Sequence, residues 1–131
     1  MVTVSANIGT DHYKTEIVSP SGNKLISDEP IESGGKDLGF DPKELLTSAL
    51  SACTSITLRM YADRKQWDLK EVRVKVELER TEENNKTNIK RKLELIGELD
   101  EEQRNRLLTI ANACPVHKIL SNSITIETHL T

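Results

Sequence analysis

A long helix in the middle of the chain is the feature that most limits how this protein can fold. Asp41 suits the cap position, Pro42 suits the first helical position, and Glu44 lies three residues after the cap. The segment DPKELLTSALSACTSITLRMYADRKQ then continues for about 25 residues, or about 37 Å. Apolar and small residues recur at helical spacing and form one stripe: Leu45, Ala49, Ala52, Cys53, Ile56 and Met60. The small residues would let another backbone approach this helix closely.

The segments on either side of the helix have the patterns of β-strands. Apolar and charged residues alternate from Leu69 to Arg80, and Thr87–Gly97 forms the partner strand of a long hairpin. The other predicted elements are short strands at Thr3–Ile8, Tyr13–Ser19 and Lys24–Ser27, helices at Asp100–Ala113 and Val116–Leu120, and a last strand at Ser123–His129. Asp28–Phe40 is a long loop, of the kind that often carries function. The order predicts an α+β fold with antiparallel pairing, in a single domain over residues 1–131.

Charge and composition exclude several classes of function. The formal net charge of -3 argues against a basic face for nucleic acid. No apolar run approaches the roughly 18 residues of a membrane span. The first residues lack the pattern of a secretory signal, so we expect a cytoplasmic protein. Two cysteines and three histidines without zinc-ligand spacing predict no metal site. Because only 3% of the residues are aromatic, the core is small and aliphatic, and a dimer interface would add buried surface.

Cys53 and Cys114 are the only cysteines and the main candidates for chemistry. In a cytoplasm that keeps thiols reduced, a cysteine pair points to catalysis or redox activity. Cys53 lies on the apolar stripe, where an inert buried thiol is the alternative. Cys114 precedes Pro115 at the start of a short helix whose N–H groups favour a thiolate, and His117 adds positive character. The alternative for Cys114 is a cysteine that only fills space at a helix break.

If the two thiols meet, their chemistry is well defined. A thiolate attacks the O–O bond of a peroxide and becomes a sulfenic acid, the second cysteine condenses with it to a disulfide, and a dithiol reduces the disulfide. These steps need no metal and no cofactor. Glu44 could tune the thiolate, although it also completes a capping box with Asp41. A hydrolase that uses Cys114 and His117 is a weaker alternative, because the sequence offers no orienting acid.

Two blocks of the sequence are specific enough to indicate a family. The first is GGKDLGFDPKELLTSALSACTSITLRMYADRKQWDL, from Gly34 to Leu69, and the tripeptide DEP precedes it. The second is ACPVHKIL, from Ala113 to Leu120. Together they resemble the OsmC/Ohr family, in its general OsmC-like branch. The resemblance implies an OsmC-like fold, in which an antiparallel sheet wraps around long central helices and two chains form an intertwined homodimer.

The same resemblance implies an activity, the reduction of organic hydroperoxides. It assigns the peroxidatic position to Cys53 and the resolving position to Cys114, with a lipoyl-type dithiol or a small thiol as the reductant. The family's peroxidases also have an Arg near the N-terminus and a Glu directly after the helix-opening Pro. Here Lys43 follows Pro42, and the acid comes one residue later, at Glu44. No Arg precedes Arg59, and the candidate substitutes are His12, Lys14, Lys24 and Lys36. These departures leave a second hypothesis open, a non-enzymatic redox-responsive or small-ligand-binding protein on the same scaffold.

Overall fold

Three short antiparallel strands form the sheet of the first unit in the computed structural model, which describes residues 1–131. This unit comprises Met1–Leu46. Its strands pair in chain order: β1 (Ser5–Ile8), β2 (Thr15–Val18) and β3 (Lys24–Ser27). The turn between β2 and β3 is closed by a hydrogen bond from Ser19 N–H to the Asn23 carbonyl, at 2.9 Å. The three strands that the sequence predicts are therefore confirmed, although β1 and β2 are shorter than their patterns.

One buried carboxylate organises the long loop that follows β3. Asp28 is only 2% exposed, and its Oδ1 accepts the N–H groups of Tyr13 and Glu29 at 3.0 and 2.7 Å. Its Oδ2 accepts the N–H groups of Lys36 and Leu38, both at 3.2 Å. Burial opposes ionisation of Asp28, but the four N–H donors outweigh it and hold the pKa of this carboxyl below its usual value. The loop is thus a fixed part of the first unit.

The long helix, α1, runs from Pro42 to Lys65, as the sequence predicts. At its start, the Asp41 N–H donates to Glu44 Oε1 at 3.0 Å, and the Glu44 N–H donates to Asp41 Oδ1 at 2.8 Å. This reciprocal pair is the predicted capping box, which satisfies N–H groups that have no partner within the helix.

A left-handed residue ends α1. Gln66 has a φ angle of 58°, and its N–H donates to the Asp63 carbonyl at 3.1 Å. The N–H of Trp67 donates to the Ala62 carbonyl at 2.9 Å. This Schellman arrangement satisfies two carbonyls of the last turn. Trp67 also packs edge-on against Tyr61, with ring centroids 5.5 Å apart, at the point where the chain enters the next strand.

The second unit, Thr47–Thr131, contains a two-stranded sheet and two further helices. The elements after α1 are β4 (Asp68–Thr81), β5 (Lys86–Glu98), α2 (Glu101–Ala111) and α3 (Pro115–Leu120). They confirm the predicted hairpin and the two predicted helices. Gly97 has a φ angle of 146° at a shift in the strand register, and a Cβ there would collide with the Asp68 carbonyl.

A single domain over residues 1–131 stays a prediction.

The core of the second unit forms between α1, α2 and the hairpin. Its buried members are Leu58, Ala62, Leu69, Leu107 and Ala111. On α1, the buried face carries residues spaced four apart: Leu50, Thr54, Leu58 and Ala62. The stripe predicted from the sequence lies elsewhere on the helix, and its members Ile56 and Met60 are 54% and 61% exposed. Helix α1 is therefore apolar on two sides, and the core of the second unit covers only one of them.

The predicted last strand, Ser123–His129, is wrong. The chain forms no strand after α3, and this segment joins neither sheet. Ile124 and Ile126 are 58% and 84% exposed, so their alternation meets no apolar surface of the same chain. The alternating pattern alone could not form a strand, because a strand needs a partner for its N–H and carbonyl groups.

Candidate active site

The structure brings Cys53 and Cys114 together. Their thiols lie close enough to influence each other's ionisation, although the residues are 61 positions apart in the chain. Both cysteines are free thiols. The backbone N–H of Val116 contacts both sulfur atoms, and the Thr57 hydroxyl contacts that of Cys53. Cys53 is half-buried, whereas Cys114 is fully buried. The sequence alone could not establish that the two thiols lie close together.

Local backbone geometry places Cys114 at the start of α3. Cys114 is the cap residue of this helix and Pro115 its first residue, as the sequence predicts. The fixed φ angle of Pro115 suits that position, and its missing N–H costs nothing there. The N–H groups of Val116 and His117 then point back to the Cys114 sulfur. The helix start thus supplies two donors to a sulfur atom that water does not reach.

The surroundings shift the pKa values of the two thiols in opposite directions. Burial opposes ionisation of Cys114, but the Cys53 thiol, the N–H groups of His117 and Val116 and the charge of Arg91 outweigh it and lower its pKa. Burial raises the pKa of Cys53, and the hydrogen bond and charge of Cys114 raise it further. Because the thiols interact, they titrate as a pair and not independently.

Arg91 is a functional candidate that sequence reasoning missed. It lies on β5, and its guanidinium donates to Thr54 Oγ1 at 3.0 Å and to Asn112 Oδ1 at 2.9 Å. The nitrogen that donates to Asn112 is also 3.2 Å from His117 Nδ1. Since a guanidinium can only donate, His117 Nδ1 accepts, and the proton of the neutral imidazole lies on Nε2. The sequence did contain an indication of its role, because Arg91 alternates with the same period as Ile89 and Leu93 and lies on the half-buried face of β5.

A cavity of about 300 Å³ lies beside Arg91 within the second unit. Three polar residues line it: Arg91, Asn112 and His117. Five aliphatic residues form the rest of its lining: Leu50, Ile89, Leu93, Leu108 and Leu120. The volume is that of a small-molecule site, and the walls suit a molecule with an aliphatic body and one polar group.

The other residues singled out in the sequence lie in different surroundings. Glu44 is engaged in the capping box with Asp41, and its catalytic role stays a prediction. The candidate substitutes for the missing Arg are all exposed residues of the first unit: His12, Lys14, Lys24 and Lys36. No group of three or more His, Cys, Asp or Glu side chains is arranged to hold a metal ion. None of the helices combines the length and the apolar character that crossing a membrane requires.

Comparison with protein families gives one match. The family described as OsmC-like protein matches residues 34–129, which include both cysteines. A comparison with curated proteins found no match.

Several solved structures are similar over almost the whole chain. An OsmC like protein from Mycoplasma pneumoniae has a TM-score of 0.79 at 19% identity, over 92% of this chain and 87% of that chain. An osmotic stress induced and detoxification response protein from Psychrobacter arcticus has a TM-score of 0.78 at 23% identity, over 91% and 88%. The organic hydroperoxide resistance protein OhrB of Bacillus subtilis has a TM-score of 0.62 at 23% identity, over 91% and 89%. At these identities the likeness establishes the OsmC-like α+β fold.

Proposed function

Because this chain belongs to the OsmC-like protein family, we propose that it reduces organic hydroperoxides with its two thiols. The observation that carries the proposal is the contact between the thiols of Cys53 and Cys114. The similar structures described as organic hydroperoxide resistance proteins point in the same direction. The proposed reaction converts two thiols and one hydroperoxide into a disulfide, an alcohol and water.

The reaction takes place in two steps. The attacking thiolate forms a bond to the terminal peroxide oxygen, the O–O bond breaks, and the alkoxide leaves and takes up a proton as the alcohol. The sulfur is now a sulfenic acid. The second thiolate attacks this sulfur, the S–S bond forms, the S–O bond breaks, and hydroxide leaves and is protonated to water. A lipoyl-type dithiol or a small thiol then reduces the disulfide by exchange and is itself oxidised.

We assign attack to Cys53 and resolution to Cys114, and solvent exposure supports this order. Cys53 is the residue that a peroxide can approach, since it is half-buried whereas Cys114 has no exposed surface. The lowered pKa of Cys114 is compatible with the assignment, because its thiolate can accept the Cys53 proton across their hydrogen bond as attack begins. After attack, the buried thiol is already in contact with the sulfenic acid. A reducing compartment such as the cytoplasm would return the pair to its thiol form.

We also propose that the protein is a homodimer, with the uncovered side of α1 in the interface. Ile56 and Met60 are more than half exposed in the single chain, and the smaller residues Ala49 and Ala52 are exposed beside them. Apolar side chains at helical spacing on an uncovered face favour contact with a second copy. The unpaired segment Ser123–His129 keeps the alternating pattern of a strand, and a second chain could provide its partner.

A single-turnover oxidation tests the proposed function. The reduced protein receives one equivalent of cumene hydroperoxide, and free thiols and intact mass are followed over time. We expect both thiols to disappear and the mass to fall by two hydrogens, with a peptide map that joins Cys53 to Cys114. The matched controls are Cys53→Ser, which should not react, and Cys114→Ser, which should stop at a sulfenic acid or a mixed disulfide. Unchanged thiols and an unchanged mass in the unaltered protein would refute the proposal.

The cavity beside Arg91 favours a second candidate function, a redox-responsive protein that binds a small ligand. Its aliphatic lining and its polar residues Arg91, Asn112 and His117 could hold such a ligand without any turnover. A molecule that stays bound through purification, together with no consumption of hydroperoxide, would favour this alternative.

A further inference from the structure

Arg91 has a positive charge without a carboxylate partner. Arg59 and Arg73 pair with acidic residues, but no salt bridge of the chain includes Arg91. Its three side-chain partners, the hydroxyl of Thr54, the amide of Asn112 and the imidazole nitrogen of His117, are all neutral acceptors. A partly buried cation surrounded only by neutral groups attracts a nearby anion, because little water is present to screen it.

The three partners of Arg91 flank the two cysteines. Thr54 directly follows Cys53 on α1, and its hydroxyl also donates to the Leu50 carbonyl at 2.7 Å. Asn112 lies two residues before Cys114 and His117 three residues after it. One side chain on β5 therefore connects the helix that carries the first thiol with both sides of the second thiol.

We propose that Arg91 is the positioning residue of the thiol pair: it holds the segments that carry Cys53 and Cys114 together and stabilises the Cys114 thiolate. This inference rests on the proposed function and deepens it. The titratable and charged groups around Cys114 are the Cys53 thiol from α1, the Arg91 guanidinium from β5 and the His117 imidazole from α3. Of these, Arg91 is the permanent cation, and its effect on Cys114 is to favour the thiolate. Cys114 must lose the proton that it took from Cys53 before it attacks the sulfenic acid, and a nearby cation favours that loss.

A titration that needs no peroxide tests this inference. In a Cys53→Ser background Cys114 is the only thiol, and the ultraviolet absorbance of its thiolate is followed against pH. Absorbance is suited to Cys114 because a buried sulfur reacts slowly with alkylating reagents. Arg91→Gln should raise the midpoint of the Cys114 titration by about one pH unit. This shift corresponds to about tenfold less thiolate at any pH below the midpoint. Lys92→Gln is the matched control, since it removes the same charge from the exposed side of β5 and should leave the midpoint unchanged.

One further variant separates charge from structure. Arg91→Lys keeps the cation, so its midpoint should lie close to that of the Cys53→Ser protein. It also replaces Arg91→Gln as the test if that variant does not fold. A full upward shift in Arg91→Lys, or no shift in a folded Arg91→Gln protein, would overturn the inference. In a chain with both cysteines, Arg91→Gln should lengthen the lifetime of the Cys53 sulfenic acid, as dimedone labelling reports. Failure of the unaltered protein to react with hydroperoxide would refute the proposed function but leave the titration result standing.

Discussion

Oxidation of the thiol pair should raise the melting temperature of the protein by about 15 °C. A bond between Cys53 and Cys114 closes a loop of about 61 residues, which removes about 4 kcal/mol of chain entropy from the unfolded state. For a chain of 131 residues, the unfolding entropy is about 0.28 kcal/mol per kelvin, which converts this stabilisation into the expected shift. The thiols are already in contact in the reduced protein, so the bond should form without large movement of α1 or α3.

Calorimetry of the reduced protein and of the peroxide-oxidised protein measures this shift, with intact mass to confirm that the disulfide is present. Cys114→Ser treated with the same oxidant is the control, since it cannot close the loop, and its melting temperature should not rise. A confirmed Cys53–Cys114 disulfide that leaves the melting temperature unchanged or lowers it would refute the reasoning. Such a result would mean that the bond strains the native structure and that the two sulfur atoms are not positioned for it.

Other predictions follow from single side chains. Leu58→Ala should lower the free energy of unfolding by about 3 kcal/mol in urea titration, because Leu58 is fully buried; a loss below about 1 kcal/mol would contradict its place in the core. Asp100→Ala should cost about 1 kcal/mol in the same assay, because Asp100 caps α2 through a reciprocal bond with Gln103, and a neutral result would contradict this. The pKa of Asp28 is lowered on folding, so its contribution to stability is present above the usual value of 3.8 and is lost as the pH falls through the folded pKa. The stability difference between the unaltered protein and Asp28→Asn should therefore shrink in acid, and a difference that grows there would be contrary to this. Ile56→Asp should convert the proposed dimer to monomer in light-scattering chromatography, whereas the exposed Lys75→Asp should not; a dimeric Ile56→Asp protein would exclude this face from the interface.

Local patterns predicted most of the elements. The alternation in β4 and β5 predicted both strands to within one residue at each end. Alternating apolar and polar residues correspond directly to the two faces of a half-buried strand. The capping box of Asp41 and Glu44 fixed the start of α1 in the same way. The last strand was not predictable, because a strand depends on a partner segment that the pattern of Ser123–His129 does not identify.

Less of the candidate site could be predicted, because the site depends on how the elements pack against one another. The sequence motifs singled out both cysteines, but their contact depends on how α1 and α3 pack. The side of α1 that packs into the core of the second unit was also missed, because the helix is apolar on two sides and the predicted stripe lies on the other one. The sequence did not identify Arg91 as a site residue, because its partners lie 21 to 37 positions away in the chain. Only the fold brings these partners close to Arg91.

Steady-state consumption of hydroperoxide tests the central claim most directly. The protein is supplied with an excess of cumene hydroperoxide and a lipoyl-type dithiol, and the remaining peroxide is measured over time. We predict that each chain consumes many equivalents, and that Cys53→Ser reduces the rate to that of the dithiol alone. An unaltered protein that is no faster than the dithiol alone, or a Cys53→Ser protein that keeps full activity, would contradict the account.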